Sequence, residues 1–141
     1  RGIAQRLTHE LCHAALEQAF GAPIHPRVPR WFGEGVCTVL AGQGDDRMAL
    51  ADVVTAGRDA EVLDDAAFAG ADLQRGYGAP YALMRAVDEQ LGTDAFALML
   101  ARAVASASSE PFARAFTDVV GIDRDSAWRR VVDGTSLVNP R

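Results

Sequence analysis

His9, Glu10 and His13 stand in the order H-E-x-x-H, a spacing that carries chemistry only on a helix. Four residues of α-helix turn the chain by about 400° and advance it by about 6 Å, so His9 and His13 project from one face and can reach one metal ion. Glu10 is rotated by about 100° from His9, too far to join the same ligand set. Its carboxylate is instead placed to take a proton from water beside the metal. The implied chemistry is hydrolysis by a Zn²⁺-activated water with Glu10 as general base. The bland reading is a histidine pair on a surface or in a core. Only three histidines occur in the chain, which makes two of them in this register around a glutamate an uncommon accident.

Glu34 supplies a third ligand. It lies in Pro29-Arg30-Trp31-Phe32-Gly33-Glu34-Gly35-Val36, with 20 residues between it and His13, enough to end one helix, turn and lay a second beside the first. Two histidines and a glutamate leave the fourth tetrahedral position of zinc open to water. Gly33 and Gly35 are expected to let the second helix approach the first, Trp31 and Phe32 to anchor its start, and Thr38 to stand near the site one turn after Glu34. His25, in the irregular stretch Ala22-Pro23-Ile24-His25-Pro26, competes as third ligand but reads as an exposed loop histidine.

The elements that must position these groups read as helical nearly throughout. The first runs from about Gly2 to Phe20, with Ile3, Leu7 and Leu11 at four-residue spacing, and stops at Gly21 and Pro23. The second spans about Arg30 to Ala41. Met48 to Ala56 is expected as a short helix and Gly57 to Arg75 as a long loop with a short turn. A helix from Pro80 to Leu91 follows, with Leu83, Val87 and Leu91 as core, and then one capped by Thr93 and reaching about Ser106. Ser109 and Asp123 are the expected N-caps of two more, the first with Pro111 in its opening turn and the second carrying Trp128.

These residues resemble the gluzincin zinc metallopeptidases, in particular the bacterial peptidase-MA-like domains, whose pattern is H-E-x-x-H followed by P-x-W-x-x-E-G. His9, Glu10 and His13 match the first part, and Pro29, Trp31, Glu34 and Gly35 the second. Tyr77 to Gly92 resembles the family's tyrosine-bearing helix, and Phe116, Gly121 and Ala127-Trp128-Arg129-Arg130 its closing helical pair, so the likeness runs from near residue 1 to about residue 133. It implies zinc on His9, His13 and Glu34, Glu10 as base, Tyr77 as the donor that stabilises the oxyanion, and a peptide or protein substrate. Tyr81 reads as core. The expected fold is mainly α, a zincin-like helical core without the usual N-terminal β-sheet, since His9 lies so near the start. Residues 1–141 are accordingly expected to form a single metallopeptidase-like domain, a fragment lacking that upstream sheet. The metzincin pattern is excluded, because it needs Gly at 16 and His at 19 where this chain has Leu16 and Ala19. The G-x-M-E-N exopeptidase motif is absent as well.

Composition bounds the alternatives. With 141 residues, 49% of them hydrophobic, one domain can bury a core without staples. A formal charge of −5 and dispersed arginines argue against nucleic acid. No run is long enough to span a membrane and no signal segment opens the sequence, so a cytoplasmic and a cell-envelope location both stay open. Cys12 and Cys37 lie close enough to the motif residues for a disulfide, which implies an oxidising compartment. The simpler expectation is two small buried thiols. The rival to an enzyme is a helical binding module that keeps the zinc-site sequence without cutting its partner.

Overall fold

The computed structural model describes residues 2–21, 27–44, 63–65 and 73–139. Their architecture is mainly helical: α1 (Gly2–Phe20), α2 (Arg30–Leu40), α3 (Leu73–Leu91), α4 (Asp94–Ala105), α5 (Pro111–Val120) and α6 (Arg124–Val132), with no strand among the described residues. None of these helices is long and apolar enough to cross a membrane. The expected helix over Met48–Ala56 and the ligand candidate His25 lie outside the described residues.

The organising element is α2. It follows the extended Pro29, and the free N–H of Trp31 in its first turn donates to Asp65 Oδ1 at 3.2 Å, which satisfies a helix-end donor from a distant segment. Six of its eleven residues are buried. Its most extensive partner is α3, and Gly35 shows how close the two helices run: a Cβ there would sit 2.6 Å from the Pro80 carbonyl oxygen and 2.8 Å from Met84 Cγ. Gly35 therefore serves the approach to α3, not the expected approach to α1. Gly33 does face α1, but a Cβ on it would meet only His13 Cε1, at an ordinary 4.0 Å.

Beneath α2, Trp31 and Phe32 meet Phe112 edge-on and tilted, with Phe96 and Phe116 beside them. Leu83, Val87, Met99, Leu100 and Trp128 complete one continuous core, and Leu63, in a short turn, is buried with them. The Leu83–Val87 stripe is core as expected, with Leu91 packed at its edge.

Local signals fared unevenly. Asp123 caps α6 by accepting from Ser126 N at 2.9 Å, and the hydrogen bonds from the Ser126 hydroxyl and then its N–H hold the carboxyl below the usual range. Thr93 does not cap α4 through its side chain; its hydroxyl donates instead to Asp88 Oδ1. Ser109 is not the cap of α5, which starts after Glu110, while Ser108 Oγ accepts from Glu110 N. The third helix begins at Leu73, so Pro80 lies inside it and not in its first turn. Ile3, Leu7 and Leu11 form no part of the core: they are 87%, 59% and 58% exposed.

Candidate metal centre

On α1 the buried residue is His9, 5% exposed, and it is buried against α2. His9 and His13 project toward α2, where Glu34 lies near the middle of a well-packed helix. His9 Nε2 is 3.2 Å from Glu34 Oε2, His13 Nε2 is 3.1 Å from His9 Nε2, and His13 Nε2 is 3.5 Å from the same Glu34 oxygen. These three atoms form a nearly equilateral triangle. Zinc bound tetrahedrally at about 2.0–2.1 Å from each ligand requires ligand atoms roughly 3.3 Å apart, so the triangle has the dimensions of one face of a zinc site.

Protons alone serve this arrangement poorly. If both imidazoles donate from Nε2 to the carboxylate, their N–H groups face each other across 3.1 Å; if one accepts, one edge to Glu34 loses its proton. A cation outside the triangle and equidistant from its corners satisfies all three lone pairs at once. The residues therefore fit the metal that the H-E-x-x-H spacing implies.

Without a metal, the electrostatics couple His13 and Glu34 as an ion pair, whose proton a metal would have to displace. The hydrogen bond to Glu34 raises the His13 pKa, against the opposing effect of burial, with the charges of Glu34, Glu10 and Glu17 adding to it. Burial pushes Glu34 up, but its hydrogen bond and charge interaction with His13, followed by those with His9, outweigh this and leave it below its ordinary value. Glu34 is thus held as an anion. Its second oxygen, Oε1, faces Arg30 Nε at 3.7 Å, one turn back along α2. Arg30 is a residue that the motif pattern does not point to, although its i, i+4 spacing from Glu34 was visible in the sequence. His9 Nδ1 is buried and has no hydrogen-bond partner among the described residues.

Glu10 is exposed on the solvent side of α1, and its charge is felt by His13. Thr38 does bond to Glu34, but through the backbone: its hydroxyl donates to the Glu34 carbonyl at 2.7 Å, leaving the carboxylate to the histidines. Tyr77 is half-buried within α3 and packs against the core. Tyr81 is buried, its ring lies where any side chain on Gly44 would have to go, and its hydroxyl accepts from Arg85 Nη1 at 3.2 Å. That is the core position expected of it.

The cysteines correct the expectation of two free thiols: Cys12 and Cys37 are joined in a disulfide, with Cα atoms 5.5 Å apart. The helix contact that gathers His9, His13 and Glu34 also brings these residues together.

A cavity of about 490 Å³ opens beside the cluster, with His13 and Glu34 on one side and Leu16, Val28, Phe32 and Leu100 on the other. Tyr77 is not among the described residues that line it. Of the four apolar wall residues, only Phe32 lies within the motif region singled out from the sequence. The others come from the end of α1, the turn before α2, and α4. No family model, no curated protein and no solved structure matches this chain.

Proposed function

We propose that this domain is a zinc-dependent peptidase of the gluzincin type, with His9, His13 and Glu34 holding the metal and Glu10 acting as general base. The observation that carries the reading is the triangle of His9 Nε2, His13 Nε2 and Glu34 Oε2, whose edges of 3.1 to 3.5 Å suit one tetrahedral ion. Zinc held there supplies Lewis acidity, polarising a carbonyl group and bringing the pKa of water toward about 7.

The chain's own groups do the rest. Glu34, kept anionic by its histidine neighbours, gives the site a negative ligand, and Arg30 orients it from the far oxygen. Glu10, exposed to solvent, takes the proton from the attacking water and returns it to the leaving amine. The cavity next to His13 and Glu34 excludes water along its apolar wall and accepts a bulky apolar side chain of a peptide whose scissile bond lies at the cluster. Tyr77 is the oxyanion donor that the family resemblance implies, and its packing against the core makes it the separately tested member of the set.

The experiment is hydrolysis of an unstructured protein substrate by the zinc-loaded chain. Glu10→Gln keeps size and polarity without a basic carboxylate, so it should retain zinc and lose activity by roughly 10²-fold or more. Equal rates for Glu10→Gln and the parent would remove Glu10 as base. In the same assay Tyr77→Phe should lower kcat by about 10²-fold with little change in KM if its hydroxyl meets the oxyanion.

A second reading has an observation of its own. Ile3, Leu7 and Leu11 expose an apolar stripe on α1, which suits a helical binding module that retains the zinc site without cutting its partner. Zinc binding with no cleavage of any unstructured substrate would select it.

A further inference from the structure

The Cys12–Cys37 bridge lies within the metal cluster's own seam. Cys12 directly precedes His13 on α1, and Cys37 follows Glu34 by three residues on α2. The ring closed by the bond therefore carries His13 and Glu34 just inside its two ends, and His9 lies three residues outside it. Among the described residues nothing else holds α1 as firmly. The buried residue of this helix is His9, with Cys12, Leu16 and Phe20 only partly buried against the core. Gln5 Nε2 adds one hydrogen bond to the Gly42 carbonyl, and the opposite face, with Ile3, Leu7 and Leu11, is exposed.

We infer that the Cys12–Cys37 disulfide is the positioning bond of the zinc site, holding His9 and His13 against Glu34 so that zinc affinity depends on the oxidation state of this pair. The inference rests on the metal reading of the cluster. Two of the three ligands ride on α1, so their affinity for zinc is scaled by the fraction of molecules in which α1 is docked. The bond keeps that fraction near one. A phosphine reductant with water breaks the Sγ–Sγ bond: two electrons pass from phosphorus to sulfur, water supplies two protons and its oxygen ends on the phosphine oxide, and two thiols remain. With α1 then held, among the described residues, by His9, its half-buried side chains and the Gln5 hydrogen bond, the bound metal must also order the helix.

The test is zinc affinity, measured by competition with a chromogenic chelator, for the oxidised chain and for the Cys12→Ser/Cys37→Ser double variant, which lacks thiols that could themselves bind zinc. Fluorescence of Trp31 and Trp128, which are buried in the core at 2% and 0% exposure, reports whether the body of the domain stays folded. The expected result is a zinc dissociation constant roughly 10- to 100-fold higher in the variant, the scale of losing a group that orients metal ligands, with unchanged tryptophan emission and the same stoichiometry at saturating zinc. Phosphine reduction of the parent followed by alkylation of the two thiols, read the same way, should weaken binding in the same direction. Zinc affinity within twofold of the oxidised parent overturns the inference. So does a variant whose tryptophans become exposed, because the bond is then needed for the fold as a whole. An oxidised parent that binds no zinc overturns the inference together with the metal reading, whereas tight binding that ignores the bond removes the inference alone.

Discussion

Helices α1 and α2 contribute residues to the same His9–His13–Glu34 cluster, yet they are held in place by different physics. α2 buries Trp31, Phe32, Gly35, Val36, Cys37 and Thr38 and runs so close to α3 that Gly35 has no room for a methyl group. α1 buries His9 and turns three large apolar residues to solvent. Glu34 thus rides on a core-packed helix, while the two histidines ride on a helix anchored, among the described residues, by His9, the disulfide and the partly buried Cys12, Leu16 and Phe20. One member of the cluster thus stands on rigid ground and two on a lightly packed helix, a stable half and an adjustable half.

The contrast can be broken at several points. Phe32→Ala removes a fully buried ring from beneath α2 and should destabilise the domain by about 3–5 kcal/mol, read as a lower denaturation midpoint. Gly35→Ala pits a helix-propensity gain of about 1 kcal/mol against a Cβ placed 2.6 Å from the Pro80 carbonyl oxygen. Backbone has little freedom to yield, so overpacking should win and stability should fall by about 1–2 kcal/mol. Leu7→Ser, on the exposed face of α1, should change stability by no more than about 0.5 kcal/mol. If Leu7→Ser costs as much as Phe32→Ala in the same denaturation experiment, the outer face of α1 is covered in the folded chain and the two helices are equally anchored.

What the sequence made legible follows the same division. H-E-x-x-H and the glutamate on the next helix could be read because helical spacing alone brings such residues to one face, and the structure brings His9, His13 and Glu34 together. Ile3, Leu7 and Leu11 show the limit of that reasoning: periodicity reports that a face is apolar, not that anything covers it. The start of α3 was hidden because Gly76, Gly78 and Pro80 all disfavour a helix interior, yet tertiary packing against α2 carries the helix through them. Leu16, Val28 and Leu100 gave no sign of sharing a cavity with His13, since nothing in the local pattern relates positions so far apart. The cysteine pair was ambiguous for a different reason. Helix contact makes both a bridge and two buried thiols reasonable, and only the juxtaposition of α1 and α2 decides between them. Thr93 and Ser109 have the right chemistry for caps, but in the folded chain Thr93 is engaged by Asp88 and the start of α5 falls after Glu110.

The metal content of the purified, oxidised chain bears most directly on the whole account. About one Zn²⁺ per chain should copurify or bind on titration, and His9→Ala, His13→Ala and Glu34→Ala should each lose most of it, because a two-ligand remnant holds zinc far more weakly. Full zinc occupancy in Glu34→Ala, or no zinc in the parent, would contradict the assignment of this triangle as a metal site.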